Sequence, residues 1–208
     1  GVVSITPLIA NTIYISKING SDTAGNGTLN TPYATINKGI SFTNANDFII
    51  IIDTSTYIIN NGIDNVIIDT ANVTLMCTTP FMAKIISSTS AIYTDRLIQI
   101  NANGVKIKNL ILDGAESATR IIVTGGYTNI EIYNNIIKNA KYAGILVQGD
   151  WTKVDSNAIY NCPTFGIEQN WGGDSCNITN NKIYSTKNEW EGIFITADGI
   201  DRVYNNLI

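Results

Sequence analysis

Short runs of β-branched residues, interrupted by asparagine, recur along the last third of the chain. The phrases are IYNNIIKN (132–139), VDSNAIYN (154–161), ITNNKIYS (178–185) and VYNNLI (203–208), with a looser copy, IKNLILDG, at 107–114. Each run is too short and too rich in isoleucine and valine for a helix, and asparagine is a turn-forming residue. The pattern therefore predicts short strands joined by tight corners.

The spacing of the repeat predicts how these strands are arranged. Alignment of the phrases gives Asn109, Asn135, Asn157, Asn181 and Asn206, at steps of 26, 22, 24 and 25 residues. A Gly-Ile pair follows three of them, at 144–145, 166–167 and 192–193. Self-similarity with a period of about 20 to 50 residues is typical of a solenoid. The repeat thus predicts a parallel β-helix, in which each turn adds one strand to each sheet.

We expect the five aligned asparagines to stack at the same corner as a ladder. Asparagine tolerates left-handed backbone and bonds to nearby main chain, and stacked amides bond to one another along an axis. Alternatively, asparagine only marks loops in this chain. The nearly constant offset between the asparagine and the Gly-Ile pair favours the ladder.

The first quarter of the chain has a different pattern. Residues 1–12 are apolar and interrupted by proline, which predicts an arm or an edge strand. Residues 13–47 contain a strand and a Gly/Asn/Asp-rich loop, and the coils then occupy 48–208. We expect one domain, 1–208, because solenoids of this length are often undivided.

A short helix is predicted between the loop and the first coil. Thr31 and Pro32 have the residue types of an N-cap and a first helical position. Tyr33, Ile36 and Ile40 then fall on one helical face.

The loop and helix carry a recognisable set of residues. They are Asn19-Gly20-Ser21-Asp22, Gly27-Thr28, Pro32 and Thr35-Ile36. This segment resembles the start of secreted proteins of the pectin lyase-like, right-handed parallel β-helix superfamily. The resemblance implies an all-β, single-stranded right-handed parallel β-helix with a short N-terminal capping helix. It leaves function open, because a fold does not fix its chemistry.

Composition excludes several classes of partner. Thirty-eight isoleucines and twenty-seven asparagines indicate dry aliphatic stacks inside and amide-rich corners outside. The net charge of −4 argues against nucleic acid, which requires a basic stripe. Lysine and arginine are scattered singly, which argues against an anionic membrane surface, and no apolar run is long enough for a membrane span.

Two features favour an extracellular or cell-surface protein. The chain begins at Gly1, as a form processed after synthesis would. Asn19, Asn26, Asn72 and Asn177 begin Asn-x-Ser/Thr triplets, the acceptors of N-linked glycans. Such triplets also arise by chance in a chain rich in asparagine and threonine.

Three cysteines are too few for a disulfide scaffold. Cys162 and Cys176 lie on either side of the Gly166 loop and are candidates for one disulfide, whereas Cys77 is expected in the core. The chain has no histidine. This excludes histidine general bases, Ser-His-Asp triads and histidine-ligated metals.

No catalytic residue is assigned from the sequence. The β-helix enzymes that the chain resembles are mostly polysaccharide lyases and glycoside hydrolases, which use clustered Asp, Lys or Arg, often with Ca²⁺. A hydrolase needs paired carboxyl groups about 5 to 9.5 Å apart. The sequence has no Asp-Asp pair and no Arg-x-x-Lys pattern, and Asp113-Gly114 is more typical of a corner.

The three tryptophans suggest a binding surface instead. All fall within forty residues and near carboxylates, as Asp150-Trp151, Glu168 with Trp171, and Glu189-Trp190. We expect them in comparable parts of successive coils, where indole rings stack on sugar faces and polar groups bind hydroxyls. Alternatively, they fill packing gaps at a coil edge. No cofactor is indicated, apart from a hypothetical Ca²⁺ site of Glu168 and Asp174.

Two functions remain open at this stage. The first is an extracellular structural or adhesive β-helix without enzymatic activity, which binds other copies of itself and carries a glycan-binding edge. The alternative is a polysaccharide lyase or glycoside hydrolase acting on an acidic polysaccharide.

The sequence stops within a repeat, after Asn205-Asn206. An uncovered last coil is a template for another strand. We therefore expect either an end-to-start contact between copies, with residues 1–10 as the covering strand, or a longer β-helix of which this is a piece. Repetition of the end-to-start contact gives a filament.

Overall fold

A computed structural model describes residues 10–60, 65–88, 94–170, 172–184, 192–196 and 201–208. The strands of this part, in chain order, are β1 (Thr12–Ile15), β2 (Phe48–Ile51), β3 (Thr56–Ile59), β4 (Val66–Ile68), β5 (Thr74–Cys77), β6 (Lys84–Ser87), β7 (Thr94–Ile100), β8 (Lys106–Lys108), β9 (Ile111–Asp113), β10 (Ala118–Val123), β11 (Glu131–Tyr133), β12 (Ile136–Lys138), β13 (Ala143–Val147), β14 (Lys153–Asp155), β15 (Ala158–Tyr160), β16 (Phe165–Gln169), β17 (Asn177–Thr179), β18 (Lys182–Tyr184), β19 (Ile193–Ile195) and β20 (Arg202–Tyr204). One short helix, α1, spans Ile36–Ile40.

The strands form three parallel sheets that wind into a solenoid. Sheet A has the order β1-β2-β5-β8-β11-β14-β17-β20, sheet B the order β3-β6-β9-β12-β15-β18, and sheet C the order β4-β7-β10-β13-β16-β19. From β2 onward, each turn passes through sheets A, B and C in that order. The described chain is thus an all-β parallel solenoid with almost no helix, as the repeat predicts.

Aliphatic stacks fill the interior. The middle residues of successive sheet A strands, Ile107, Ile132, Val154 and Ile178, pair in register and have no exposed surface. Successive side chains of a strand point to opposite faces, so a three-residue strand contributes one inward residue. Burial of one such side chain stabilises the fold by about 1.5–3 kcal/mol.

The Gly-Ile pairs stack in sheet C. Ile145, Ile167 and Ile193 pair in register, and the glycine before each lies at a close approach between turns. A Cβ atom on Gly166 would lie 2.5 Å from Ile183 Cγ2 and 2.7 Å from the Gly192 carbonyl oxygen. The space between turns therefore requires glycine at Gly166.

Helix α1 begins later than the sequence predicts. Its N-cap is Thr35, whose hydroxyl accepts from the Lys38 N–H at 3.2 Å. The predicted N-cap at Thr31 is wrong because Tyr33 forms an isolated parallel bridge with Ile15, so the chain is still extended there. The helix packs against β1, β2 and β4.

The loop before the helix is fixed by Asp22. Its carboxylate accepts from the N–H groups of Ala34 and Thr35 at 2.8 and 3.0 Å and from the Thr35 hydroxyl at 2.7 Å. This contact gives the Asn-Gly-Ser-Asp motif of the sequence a structural role.

Candidate carbohydrate-binding surface

The residue two positions before each sheet A strand from β2 to β17 has left-handed backbone. These residues are Asn46, Asn72, Gly104, Asn129, Trp151 and Ser175, with φ of 74°, 59°, 72°, 58°, 59° and 59°. The N–H group of each of the first five residues donates a hydrogen bond to a main-chain carbonyl of the next turn. Examples are the bonds from Asn129 to Asp150 at 3.1 Å and from Trp151 to Asp174 at 3.0 Å. Asparagine, glycine and serine suit this position because left-handed backbone crowds a larger side chain.

Of these six residues, Trp151 alone has a bulky side chain. A positive φ is a conformational outlier for a bulky side chain and costs about 1–2 kcal/mol. The side chain is 61% exposed, so burial does not offset much of that cost. Strain of this kind is found at functional sites more often than elsewhere.

The indole of Trp151 borders a surface depression of about 300 Å³, which Ser175, Asn177 and Arg202 also line. Asn177 and Arg202 are register partners at the starts of β17 and β20. The depression therefore combines an aromatic face, an amide and a guanidinium group. We call it the Trp151 depression.

Asp150 stabilises the corner itself. Its Oδ1 accepts from the N–H groups of Gly173 and Asp174 at 3.1 and 3.0 Å. The carboxylate therefore ties one turn to the next, which is a structural role that the sequence did not suggest.

Glu168 lies on the outer face of sheet C and is 5% exposed. Arg120 binds its Oε2 through both Nε and Nη2 at 3.1 Å, and the Asn170 amide donates to Oε1 at 2.7 Å. The Arg120 guanidinium lies 4.9 Å from the ring centre of Tyr142. Glu168 is thus held in an ion pair that spans two turns.

The expected matching of the three tryptophans in successive coils stays a prediction. Trp151 lies two residues before β14. Trp171, Glu189 and Trp190 lie outside the described residues.

A metal cluster is absent from the part of the chain that the structure describes, where no three His, Cys, Asp or Glu side chains come together. The hypothetical Ca²⁺ pair of Glu168 and Asp174 stays a prediction; in the structure both Glu168 oxygens accept hydrogen bonds.

A hydrogen-bonded ladder joins Asn135, Asn157, Asn181 and Asn206 at the corner between sheets A and B. The Oδ1 atoms of Asn157, Asn181 and Asn206 each accept from the side-chain amide of the preceding asparagine, at 3.1, 3.0 and 3.0 Å. Each Nδ2 also donates to a main-chain carbonyl of the preceding turn, as from Asn157 to Ile132 at 2.9 Å. The ladder satisfies buried polar groups that water cannot reach.

Asn109 is not part of this ladder, so its predicted place is wrong by one residue. It has a φ of 63° and donates no ladder bond; its Oδ1 accepts from the Asn134 amide at 2.7 Å. Leu110 occupies the ladder position of that turn, and its N–H donates to Asn135 Oδ1 at 3.1 Å. Two asparagines serve different roles here: the first takes left-handed backbone and the second forms the ladder.

Sequence reasoning missed a second ladder, at the corner between sheets B and C. The Asn161 amide donates to Asn139 Oδ1, and the Asn139 amide donates to Asp113 Oδ1, both at 2.9 Å. Lys84 and Lys138 lie 2.9 and 3.7 Å from Asp113 Oδ2. The signal was present, since Asn139 and Asn161 each follow a ladder asparagine by four residues.

Asp113 stays ionised in this cluster. Burial alone would raise its pKa, but hydrogen bonds from Lys84, Asn139 and the Ala115 N–H outweigh burial and lower the pKa below the usual 3.8. The aspartate thus holds two lysines on the outer face of sheet B.

The predicted disulfide is wrong, because Cys162 and Cys176 are both free and buried. Cys162 lies just after β15, before sheet C, whereas Cys176 lies just before β17 of sheet A. Their thiols contact different carbonyls, those of Tyr160 at 3.6 Å and Gly173 at 2.9 Å.

Of the four glycan acceptor candidates, Asn19, Asn26 and Asn72 are exposed. Asn177 is half-buried in β17, and Thr179, the third residue of its triplet, is buried with its hydroxyl bonded to Asp155.

Sequence comparison assigns the family. Residues 95–208, more than half of the chain, match the family model described as "Right handed beta helix region". The chain belongs to this right-handed β-helix family. No curated protein matches its sequence.

Solved structures share the fold at low sequence identity. The pectate lyase Pel9A is 12% identical, with a TM-score of 0.64 over 92% of this chain and 57% of the lyase. The ORF18 protein of Geobacillus virus E2 is 13% identical, with a TM-score of 0.59 over 93% of this chain and 41% of the viral protein. An alginate lyase from Paenibacillus is 13% identical, with a TM-score of 0.56 over 90% of this chain and 58% of the enzyme.

The β-helix of this chain therefore spans about half the length of these proteins. Among the described residues, no helix has the length and apolar character needed to cross a membrane.

Proposed function

We propose that the protein is an extracellular or cell-surface β-helix that binds polysaccharide through the Trp151 depression, as a structural or adhesive element without enzymatic activity. The observation that carries the proposal is the exposed Trp151 at a left-handed corner. Stability alone favours asparagine, glycine or serine there, so a strained tryptophan open to solvent calls for a binding role.

The groups around the indole suit a sugar. An indole offers a flat apolar face for a pyranose ring. The Asn177 amide carries both donor and acceptor groups for hydroxyls, and Arg202 carries donors only. The β-helix holds these residues on consecutive strands of one sheet, which keeps the surface rigid.

Affinity measurements on a panel of soluble polysaccharides test this proposal. Trp151→Ala is expected to lower affinity for the bound polysaccharide by about 10-fold or more, since hot-spot aromatic residues contribute about 2 kcal/mol. Tyr184→Ala is the matched control, because Tyr184 is a 49% exposed aromatic residue on sheet B. Equal affinity of the Trp151→Ala variant and the unmodified chain would contradict the proposal.

A second candidate is a polysaccharide lyase or glycoside hydrolase. The fold that the chain shares with Pel9A and the alginate lyase supports it, although likeness at this identity concerns the fold alone. Incubation with pectate, alginate and neutral polysaccharides distinguishes the candidates. Release of unsaturated or reducing ends at a rate proportional to protein concentration would establish the enzyme.

Self-association and closure of the N-terminal end by α1 remain predictions. Light scattering over a range of concentrations tests the first, since a filament lengthens with concentration.

A further inference from the structure

We propose that the outer face of sheet B binds a second copy of this chain, side by side and with the two solenoid axes antiparallel. The contact is two-fold symmetric, so it closes at two copies, unlike an end-to-start contact that repeats into a filament. It lies on a different side of the solenoid from the Trp151 depression and does not depend on polysaccharide binding.

The outer face of sheet B presents an apolar side chain in every turn. Two outward residues per strand form two rows along the solenoid. The first row is Thr56, Lys84, Ile111, Ile136, Ala158 and Lys182. The second row is Ile58, Ile86, Asp113, Lys138, Tyr160 and Tyr184. Together they give an apolar stripe about 24 Å long, since the six strands lie about 4.8 Å apart.

The apolar members of this stripe are open to solvent to a large degree. Ile58 at one end and Tyr184 at the other are 58% and 49% exposed. The members between them, from Ile86 to Tyr160, are half-buried. A continuous apolar patch of this kind marks an interaction surface more often than a surface that stays in water.

The outer face of sheet A in the same turns shows what a solvated face of this solenoid looks like. Strands β8, β11 and β14 present five charged residues and one tyrosine outward. The strands of sheet B that follow them, β9, β12 and β15, present two charged residues, Asp113 and Lys138. Outward positions are normally polar, so the difference indicates that sheet B is covered by a partner.

The order of the residues shows that a second copy fits this face. A two-fold axis that runs along the strands, between β9 and β12, places each row against the same row of the copy in reversed order. Apolar side chains then face apolar side chains of the other copy: Ile111 faces Ile136, Ile86 faces Tyr160, and Ile58 faces Tyr184. The face is therefore complementary to itself.

The charges of the face match under the same axis. Asp113 faces Lys138 of the second copy, which is an opposite charge. Lys84 faces Ala158, and Lys182 faces Thr56. Like charges therefore do not meet among the described strands of sheet B, and like-charge contacts are what penalise a wrong partner.

A parallel arrangement of the two solenoids fits less well. A two-fold axis along the solenoid would place the two rows of each turn against each other. Lys84 would then face Ile86, Asp113 would face Ile111, and Lys138 would face Ile136 of the other copy. Each charge would meet an aliphatic side chain, which costs free energy without a compensating contact. The antiparallel arrangement is the one that the residues favour.

The contact is expected to be reversible. The face is about 24 Å long and one short strand wide, which is small for a specific interface. We therefore expect monomer and dimer in equilibrium, with the dimer dominant above micromolar concentration.

Sedimentation equilibrium over a range of concentrations tests the proposal. The chain is compared with Ile136→Glu, which places a charge at the centre of the contact, and with Tyr133→Glu. Tyr133 is the half-buried outward residue of β11 on sheet A of the same turn, so Tyr133→Glu is the matched charge control. Circular dichroism confirms that each variant is folded.

The mass of the unmodified chain is expected to rise with concentration and to level at twice the monomer. Ile136→Glu should raise the dissociation constant by about 10-fold or more, because the new carboxylate would be buried against Ile111 of the other copy. Tyr133→Glu should stay within about 2-fold of the unmodified chain. A monomer at every concentration, growth beyond the dimer, or equal weakening by the two variants would each overturn the proposal.

Cross-linking determines the direction of the two solenoids and does not require Ile136→Glu to fold. Ile58→Cys and Tyr184→Cys place thiols at exposed positions, and the native cysteines are buried. A short bismaleimide, which suits the spacing of about 10 Å between packed sheets, should join the two variants when they are mixed. Tyr204→Cys, at a 54% exposed tyrosine of sheet A, is the control in place of Tyr184→Cys and should not react with Ile58→Cys. Cross-links between two Ile58→Cys chains, or equal yields with the control, would overturn the antiparallel contact.

The outcomes also separate this contact from polysaccharide binding. Trp151→Ala should form the dimer normally, whatever its effect on polysaccharide affinity, because Trp151 lies at the corner between sheets C and A. Affinities per chain are measured at concentrations where the chain is monomeric. Loss of the dimer in Trp151→Ala would place the contact elsewhere and overturn the role of sheet B.

Discussion

The side-chain oxygen of Asn181 accepts two hydrogen bonds from Asn157, one from the main-chain N–H and one from the side-chain amide, both at 3.0 Å. The same arrangement joins Asn135 to Asn157 and Asn181 to Asn206. Each oxygen therefore satisfies a corner N–H of the preceding turn and also orients the amide of that turn. The ladder stabilises the turns, because removal of any of these asparagines would leave buried polar groups without hydrogen-bond partners.

Asn157→Ala is predicted to lower the free energy of unfolding by about 1–3 kcal/mol, because it leaves the Asn135 groups and the Ile132 carbonyl unsatisfied. Urea denaturation measures the change. Asn177→Ala is the control, since that outward amide is half-buried and the change should stay within about 0.5 kcal/mol. Equal stability of the two variants would show that the ladder contributes nothing.

Trp151→Asn is predicted to raise the free energy of unfolding by about 0.5–1 kcal/mol, because asparagine tolerates the left-handed backbone that strains tryptophan. The same variant should lose polysaccharide affinity. Asn129→Trp, at the equivalent corner of the preceding turn, is the reciprocal variant and should be destabilised. A lower free energy of unfolding for Trp151→Asn would show that the indole stabilises the fold by packing.

Asp113 is predicted to make stability fall on acidification. Its pKa is below 3.8 in the folded chain, so its contribution is present above 3.8 and is lost as the pH falls through the folded pKa. Asp113→Asn should be about 1–3 kcal/mol less stable at pH 7, because Lys84 and Lys138 lose their shared carboxylate. The difference between variant and unmodified chain should shrink below pH 3.8, and a difference that is constant with pH would contradict this account.

The thiols of Cys162 and Cys176 are predicted to react slowly with disulfide reagents in the folded chain. Burial raises the pKa of Cys162 to about 12 and that of Cys176 to about 11, so little thiolate forms at pH 8. A thiol assay should detect the three cysteines only after denaturation. Detection of fewer than three under non-reducing denaturation would indicate a disulfide.

The period of the repeat was sufficient to predict the solenoid, because each turn must present the same alternation of inward and outward residues to its neighbour. The Gly-Ile pairs could also be recognised in the sequence. They recur because the close approach between turns at Gly166 leaves no space for a Cβ atom. These features are set by local residue type and by contact with an identical neighbouring unit.

The exact register of the ladder was not readable at its first turn. Asn109 and Asn135 share a residue type, but Asn109 takes the left-handed position, and Leu110 takes the ladder position. The sequence does not reveal a one-residue shift of the ladder, because asparagine occupies both the left-handed position and the ladder position that follows it. The helix start was missed for a related reason, since a bridge between Ile15 and Tyr33 overrides the local N-cap signal of Thr31.

By itself, the sequence determined the parallel β-helix and the asparagine corner that carries the main ladder, because these depend on local backbone preferences repeated at a fixed period. Only the tertiary structure decided what each charged or aromatic side chain meets. It paired Glu168 with Arg120 two turns away, kept Cys162 and Cys176 apart, and brought Trp151 beside Asn177 and Arg202. Those contacts join residues about 25 to 50 positions apart, and connections of unequal length between strands set which side chains come together.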